Sequence, residues 1–373
     1  MTPNLPDTIC PLSRTLAALT PRLLDWYAQH ARPLPWRRTC DPYAIWISEI
    51  MLQQTQVKTV VPYYQAWIRQ FPTVDDLAKA PLDRVLKLWA GLGYYRRARN
   101  LHSAARFIRS RLRGRFPDDL PGVLALPGVG RYTAGAICSI AYNQPTPILD
   151  GNIMRVLTRL FAISGDPRAK PVNDRLWLLA ECWVKIAASL RIGQSRLCAS
   201  LNQALMELGA LVCTPKNPRC SQCPLQPKCQ AARTAHPASF PQTGPRPTAS
   251  ARNFTVFVVR HDSDFLVQRQ PRTAWNAGLW GFPYLEHGPK PPAPAELFRR
   301  CFKSRAARLE PLGQVRHSIT RYRLLLTVYG AAVKSRPRAR TNHERWCNPD
   351  ALQRLALSAA HRKILRLARI LPE

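Results

Sequence analysis

Between residue 14 and about residue 230, apolar side chains recur every three or four positions, as in Val85–Leu86–Leu88–Trp89 and Ile153–Val156–Leu157–Leu160. That period belongs to helices with one buried face. Breaks fall between such stretches, at Phe71-Pro72, Ala80-Pro81, Phe116-Pro117 and Leu126-Pro127-Gly128. Each predicts a helix boundary, because proline disfavours the α conformation in the residue before it. From Thr234 to Arg252 the period disappears into HPASFPQTGPRPTASAR, which reads as an extended linker between domains. The β-branched and aromatic runs Phe254–Val259 and Arg323–Tyr329 then predict strands, and Leu352–Ile370 reads as a terminal helix. The pattern divides the chain into an N-terminal arm (1–13), a mainly α domain (14–230), a linker (231–252) and a small α+β domain (253–373).

Charge narrows the partners. The 55 Lys and Arg outnumber the 22 Asp and Glu, giving a net charge of +33 over 373 residues. A surplus of that size implies an anionic partner, with nucleic acid first and a ribosome or membrane surface as the rival. At 46% hydrophobic residues the chain is not a disordered one. No apolar run approaches the ~20 residues of a spanning helix. The first residues lack a basic segment followed by an apolar run and a small-residue cleavage site, so neither export signal nor anchor is expected. Eleven cysteines, an odd number at irregular spacing, point to a reducing compartment. The setting expected is a reducing one, the cytoplasm.

Four of those cysteines stand close together. Cys213, Cys220, Cys223 and Cys229 form C-x6-C-x2-C-x5-C. Zinc takes four thiolates, often as two C-x-x-C pairs. An iron–sulfur cube also takes four, at corners that suit uneven spacers, and the single C-x-x-C pair favours the cube. Lys216, Arg219 and Lys228 between them are candidates for phosphate contact. A second feature is Leu126-Pro127-Gly128-Val129-Gly130, a turn between two helical patterns. Its glycines allow close backbone approach, and the next helix starts with unpaired N–H groups, a natural phosphate site.

The longer string LPGVGRYTAGAI resembles the helix-hairpin-helix of the endonuclease III superfamily. DPYAIWISEIMLQQTQV (41–57), Gly91-Leu92-Gly93-Tyr94-Tyr95, Leu149-Asp150-Gly151-Asn152 and residues 202–210 (NQALMELGA) resemble, in order, the motifs of MutY adenine DNA glycosylases. The four cysteines match that family's cluster spacing. The resemblance is close over about residues 20 to 230. It implies a two-lobed helical fold: a barrel lobe (38–150, with the hairpin at 126–130) and an iron–sulfur lobe (14–37 plus 151–230) holding one [4Fe-4S] cluster on Cys213, Cys220, Cys223 and Cys229. It implies a monomer that removes adenine from A:8-oxoguanine or A:G mispairs in duplex DNA. Lyase members carry a lysine where Tyr132 stands, so the resemblance implies a monofunctional glycosylase.

Breaking an N-glycosidic bond needs a proton on the leaving base and an anion beside the cationic sugar. The resemblance assigns the proton donor, acting at adenine N7, to Glu49, and to Asp150 the role of cation stabiliser and transient nucleophile. From the residues alone, two readings of each stand. Glu49 is flanked by Ile45, Trp46, Ile47, Ile50, Met51 and Leu52, a setting that would keep a carboxyl protonated, but it also fits the wet face of an amphipathic helix. Asp150 precedes a helical run and fits an N-cap. The target base must be extruded to be reached. By resemblance Arg32, Trp36, Tyr132, Asn152 and Glu207 line its pocket, with Glu207 reading the adenine amino edge. Gln54 and Tyr94 wedge into the stack, Thr55 and Leu92 lie beside the opposite base, and Gly128, Gly130 and Arg131 meet the backbone. The arginines at 96, 97, 99, 106, 109, 111, 113 and 115 read as a solvated helix face, some of them touching phosphate.

Residues 253–373 resemble the Nudix-like C-terminal domain of the same family, opening on LVQRQPRTAWNAGLWGFP. Glu286 and Glu296 do not make the glutamate cluster a Nudix magnesium site requires, so recognition of the lesion is expected rather than hydrolysis. Where many relatives present Phe-Ser-His to 8-oxoguanine, this chain has Ile319-Thr320-Arg321. Those three are the expected lesion-reading residues, with a strand edge as the alternative. Two other functions share these features: a bifunctional endonuclease III-like glycosylase and lyase, and a DNA-damage binding protein without catalysis.

Overall fold

The structure is a computed structural model, described for residues 12–190, 196–234, 236–244, 248–271, 274, 276–302, 308–319, 322–336 and 343–370. It resolves into two compact units, residues up to 79 with 103–245, and residues 80–102 with 246 onward.

The first unit is helical, as the apolar period predicts. Its helices are α1 (Ser13–His30), α2 (Pro42–Leu52), α3 (Val57–Gln70) and α4 (Val74–Lys79). α5 (Leu82–Trp89) and the start of α6 (Arg96–Arg111) belong to the second unit. The first resumes with the rest of α6, then α7 (Leu120–Leu124), α8 (Arg131–Tyr142), α9 (Gly151–Leu160), α10 (Lys170–Ser189) and α11 (Leu197–Leu211). Asp41 starts α2 by accepting hydrogen bonds from the Tyr43 and Ala44 amides, with Pro42 at the first helical position. α2 is then buried from Tyr43 to Met51, and it packs on α8, buried from Thr133 to Ala141. α11 crosses both α8 and α9. Two glycines allow close approach: a Cβ on Gly135 in α8 would sit 2.2 Å from the carbonyl oxygen of Pro147, in the segment between α8 and α9, and one on Gly209 in α11 would sit 2.6 Å from the Asn152 Cβ in α9.

The proline-rich stretch expected as a linker is only partly one. Arg159 Nε donates to the Phe240 carbonyl (2.9 Å) and the Gly165 amide to Gln242 Oε1 (2.8 Å), so residues up to 242 dock on the first unit.

In the second unit a mixed sheet runs β3-β2-β1-β6-β5, with β4 paired to β1 and β7 to β2. The strands are β1 (Ser250–His261), β2 (Asp264–Arg269), β3 (Trp280–Gly281), β4 (Tyr284–His287), β5 (Leu309–Ile319), β6 (Tyr322–Ala332) and β7 (Glu344–Cys347). β1 and β6 are parallel; the other pairs are antiparallel. Phe254, Val256 and Val258 point into one core and Phe257 and Val259 into another. Burial on both faces explains the unbroken apolar run. α12 (Pro294–Phe302) covers the second core through Leu297, Phe298 and Phe302. The expected single helix over 352–370 is two, α13 (Pro349–Arg354) and α14 (Ala359–Leu367). Ser358 caps α14, accepting from the His361 amide, and the Trp280 amide donates to the Ala356 carbonyl at 2.9 Å. The break does not show in the pattern because Ala356 and Leu357 are buried against β3 instead of being polar.

Residues 80–102 join this unit through polar contacts the apolar pattern does not register. Arg99 donates to the Ala277 carbonyl at 2.6 Å, and Arg269 pairs with Asp83.

Candidate active site

A cavity of about 560 Å³ opens in the first unit, large enough for an extruded nucleoside. It is lined by α2 and the turn after it, the start of α8, residues 150–152, the 32–37 turn and one face of α11.

Glu49 reaches it from α2, with 4% of its surface exposed. Its Oε2 accepts a hydrogen bond from the Tyr132 hydroxyl at 2.9 Å. Burial pushes its pKa up to about 7; the Tyr132 hydrogen bond opposes this and the nearby negative charge of Asp150 adds to it. Burial raises the Tyr132 phenol well above its ordinary value, so it stays a donor, with the Met206 sulfur 3.4 Å away. The solvent-face reading of Glu49 is therefore not what the structure shows.

Asp150 is the N-cap of α9 and also lines the cavity, so its two readings are compatible. Oδ1 accepts from the Ile153 amide and Oδ2 from Asn152 Nδ2, both at 2.8 Å. Burial raises its pKa, and those hydrogen bonds and Arg155 pull the other way. Asn152 is held in turn: its Oδ1 accepts from Arg155 Nη2 (2.9 Å), while Arg155 also donates to the carbonyls of Gly209 and Cys213, each at 2.7 Å.

Glu207 sits on α11, its side chain almost wholly buried. Oε1 accepts from the Arg32 amide (3.0 Å) and Nε (2.7 Å); Oε2 accepts from Arg32 Nη2 (2.7 Å) and Arg37 Nη2 (2.9 Å). Burial alone would raise its pKa, but these bonds overcome it and hold the carboxyl down to about 2. The carboxylate expected to read an amino edge is thus committed to two arginines. Arg37 was not singled out in the sequence; its only signal is the basic doublet Arg37-Arg38 after Trp36. Trp36 is buried in a 3-10 turn with its ring edge-on to Tyr64. Gln54, in left-handed backbone (φ 56°), and Thr55 also line the cavity.

The other expected residues lie elsewhere. Leu92 and Tyr94 belong to the second unit, Leu92 buried and Tyr94 41% exposed. Gly128 has φ 78°, and Gly130 is the N-cap of α8 with no side chain capping it. Arg131 is exposed, its guanidinium 3.9 Å from the centre of the Trp177 ring. Ile319 ends β5 and pairs with Tyr322. Thr320 and Arg321 lie outside the described residues.

Cys213, Cys220, Cys223 and Cys229 line one small apolar cavity. Burial pushes the Cys223 thiol up to about 12, with the other three sulfurs adding to the shift. Among the described residues no group of three or more His, Cys, Asp or Glu is arranged for a single metal ion. Four thiols around one cavity are the donor set that a cube takes, one thiolate at each corner. Buried Arg159 encloses the site, donating to Cys213 Sγ (3.3 Å) and to the carbonyls of Thr214 (2.7 Å) and Pro215 (2.9 Å).

Residues 47–182 match the HhH-GPD superfamily of base excision DNA repair proteins, and residues 255–367 match the NUDIX domain. The chain is 35% identical to the adenine DNA glycosylase of Homo sapiens, covering 92% of this chain and 73% of that protein. It is 36% identical to the one from Buchnera aphidicola subsp. Schizaphis graminum, over 73% of this chain and 76% of that one. A thermostable thymine-DNA glycosylase superposes with a TM-score of 0.51 at 27% identity, covering 59% of this chain and 98% of that structure.

Proposed function

Since the chain belongs to the adenine DNA glycosylases, helix-hairpin-helix enzymes of base excision repair, we propose that it hydrolyses the N-glycosidic bond of adenine paired with 8-oxoguanine or guanine in duplex DNA, as a monofunctional monomer at the bacterial nucleoid. The observation that carries this reading is one cavity lined by a carboxyl poised near neutrality, Glu49, and a hydrogen-bonded carboxylate, Asp150. With the nucleotide extruded between them, Glu49 donates its proton to adenine N7. The C1′–N9 bond breaks and its electron pair leaves with the now neutral base. The Asp150 carboxylate stabilises the oxocarbenium-like sugar, held in place by the Ile153 amide and Asn152. Water adds to C1′ and gives its proton to Glu49, restoring the acid. Arg32 and Arg37, held by Glu207, line the part of the cavity that would take the base.

Strand cleavage by a lyase needs an amine nucleophile, and no lysine is among the described residues lining the cavity. Tyr132 stands hydrogen-bonded to Glu49 instead. In the second unit Glu286 is paired with Arg252 and Glu296 with Arg300, which supports recognition over Nudix hydrolysis. Cys213, Cys220, Cys223 and Cys229 would hold a [4Fe-4S] cluster. Bound there, it supplies a cross-link through the 213–229 loop and one-electron capacity.

Purified protein is incubated with duplex carrying the A:8-oxoguanine pair, then heated in alkali. An alkali-labile break at the adenine is expected, formed far more slowly in Glu49→Gln with binding retained. A break before alkali together with a borohydride-trapped adduct would establish the bifunctional reading. Unchanged product on replacing Glu49 or Asp150 would remove catalysis from this cavity.

A further inference from the structure

We propose that Arg97 is a positioning residue that presents the Tyr94 ring to a base step, as the middle layer of a Trp89–Arg97–Tyr94 stack. This rests on the reading that the enzyme opens duplex DNA. Tyr94 is one of the few large hydrophobic side chains exposed among the described residues. Its backbone is left-handed (φ 46°), as are those of Gly91 (122°) and Gly93 (70°), and only the glycines adopt such angles without strain. Something must therefore hold the tyrosine there.

Two side chains do. Trp89, fully buried at the end of α5, donates from Nε1 to the Gly93 carbonyl at 2.9 Å. Arg97, in the first turn of α6, donates from Nη2 to the carbonyls of Leu92 (3.1 Å) and Gly93 (3.4 Å). The same guanidinium lies 5.1 Å from the Trp89 ring centre and 5.4 Å from that of Tyr94. It is substantially buried, and burial lowers its pKa to about 10. This arginine is thus no solvated member of the basic run 96–115: its planar cation is sandwiched between a core indole and an exposed phenol. A cation on the inner side of an aromatic ring leaves an exposed flat surface, and the flat, sequence-tolerant partner of such a surface is a nucleobase. Lysine retains the charge but has neither the plane to stack on two rings nor the fork to reach two carbonyls.

The test uses full-length holoenzyme and a duplex with 2-aminopurine beside the mispaired adenine, which brightens on unstacking. Arg97→Lys should lose most of the brightening and slow single-turnover adenine release roughly ten- to hundredfold, the range of one aromatic–base stack. In a Tyr94→Ala background Arg97→Lys should add almost nothing, because both act through one ring. Tyr94→Phe should keep the signal. Should Arg97→Lys fail to fold, Gly93→Ala bends the same loop at a left-handed position with open space around it, and should give the same loss. Full brightening in Arg97→Lys or Gly93→Ala, or losses that multiply with Tyr94→Ala, would overturn the proposal. A wild-type enzyme that never brightens the probe would overturn the duplex-opening reading itself, and this proposal with it.

Discussion

Replacing Gly209 with alanine separates the catalytic geometry from mere folding. The added methyl would lie 2.6 Å from the Asn152 Cβ and 3.1 Å from its Cα and carbonyl carbon. Ordinary carbon contacts are about 3.5–4.0 Å, so α11 and the start of α9 must part by about 1 Å. Asn152 moves with that shift, and Asn152 Nδ2 is one of the two side-on supports of Asp150. Overpacking of this kind costs about 1–3 kcal/mol, while alanine is about 1 kcal/mol better than glycine inside a helix, so the net loss of stability should be about 0–2 kcal/mol. A 1 Å misplacement of a reacting group slows chemistry about a hundredfold, which corresponds to about 2.7 kcal/mol on the barrier. Single-turnover adenine release and thermal melting on the same preparation give both quantities. A Gly209→Ala enzyme that melts near wild type and releases adenine about a hundredfold more slowly is expected. Release within a few-fold of wild type would refute the reasoning that the Asn152–Asp150 spacing is set by this helix contact.

Three other perturbations follow from the same geometry. Glu49 has its folded pKa raised to about 7 from an ordinary 4.5, so it binds more protons folded than unfolded, and its ionisation removes stability as pH rises from 4.5 through 7; Glu49→Gln should therefore be more stable than wild type at pH 8, by about 3 kcal/mol, and nearly level with it at pH 4, as thermal melting at the two pH values reads. Trp177→Ala removes the ring beneath Arg131 and should weaken duplex binding about two- to fivefold, seen by titration, without changing adenine release at saturating DNA. A Cβ on Gly281 would lie 2.6 Å from the buried His361 ring; Gly281→Ala should destabilise the second unit by about 1–3 kcal/mol, read as earlier melting under denaturant.

Much of this was legible in the sequence because it is carried by period and local chemistry. The helices of the first unit follow the recurrence of apolar residues, and the strands β1 and β6 follow β-branched runs. Asp150 shows why residue-level readings divide: the backbone conformation that caps α9 also turns the carboxylate into the cavity, so the cap and the candidate catalytic group are one feature. What escaped was carried by long-range polar contacts. The role of Arg37 depends on Glu207, 170 positions away, and that of Arg155 on carbonyls of Gly209 and Cys213. The same blindness explains residues 80–102, grouped with the sheet by Arg99 and Asp83, and the split of the last helix, where buried Ala356 and Leu357 imitate a continuing apolar face. Arg97 could not be told from its seven neighbouring arginines, since stacking between two rings leaves no mark on spacing.

Whether Glu49 delivers a proton to the departing base while Asp150 remains an anion beside the sugar is tested most directly by single-turnover adenine release measured across pH, for wild type and Glu49→Gln. The wild-type rate should fall about tenfold per unit above pH 7, as Glu49 loses its proton, and fall again in acid as Asp150 gains one. Glu49→Gln should be slower by about 10²–10⁴ and should lose the alkaline limb. An alkaline limb that persists unchanged in Glu49→Gln would place the essential proton on another group and contradict the account.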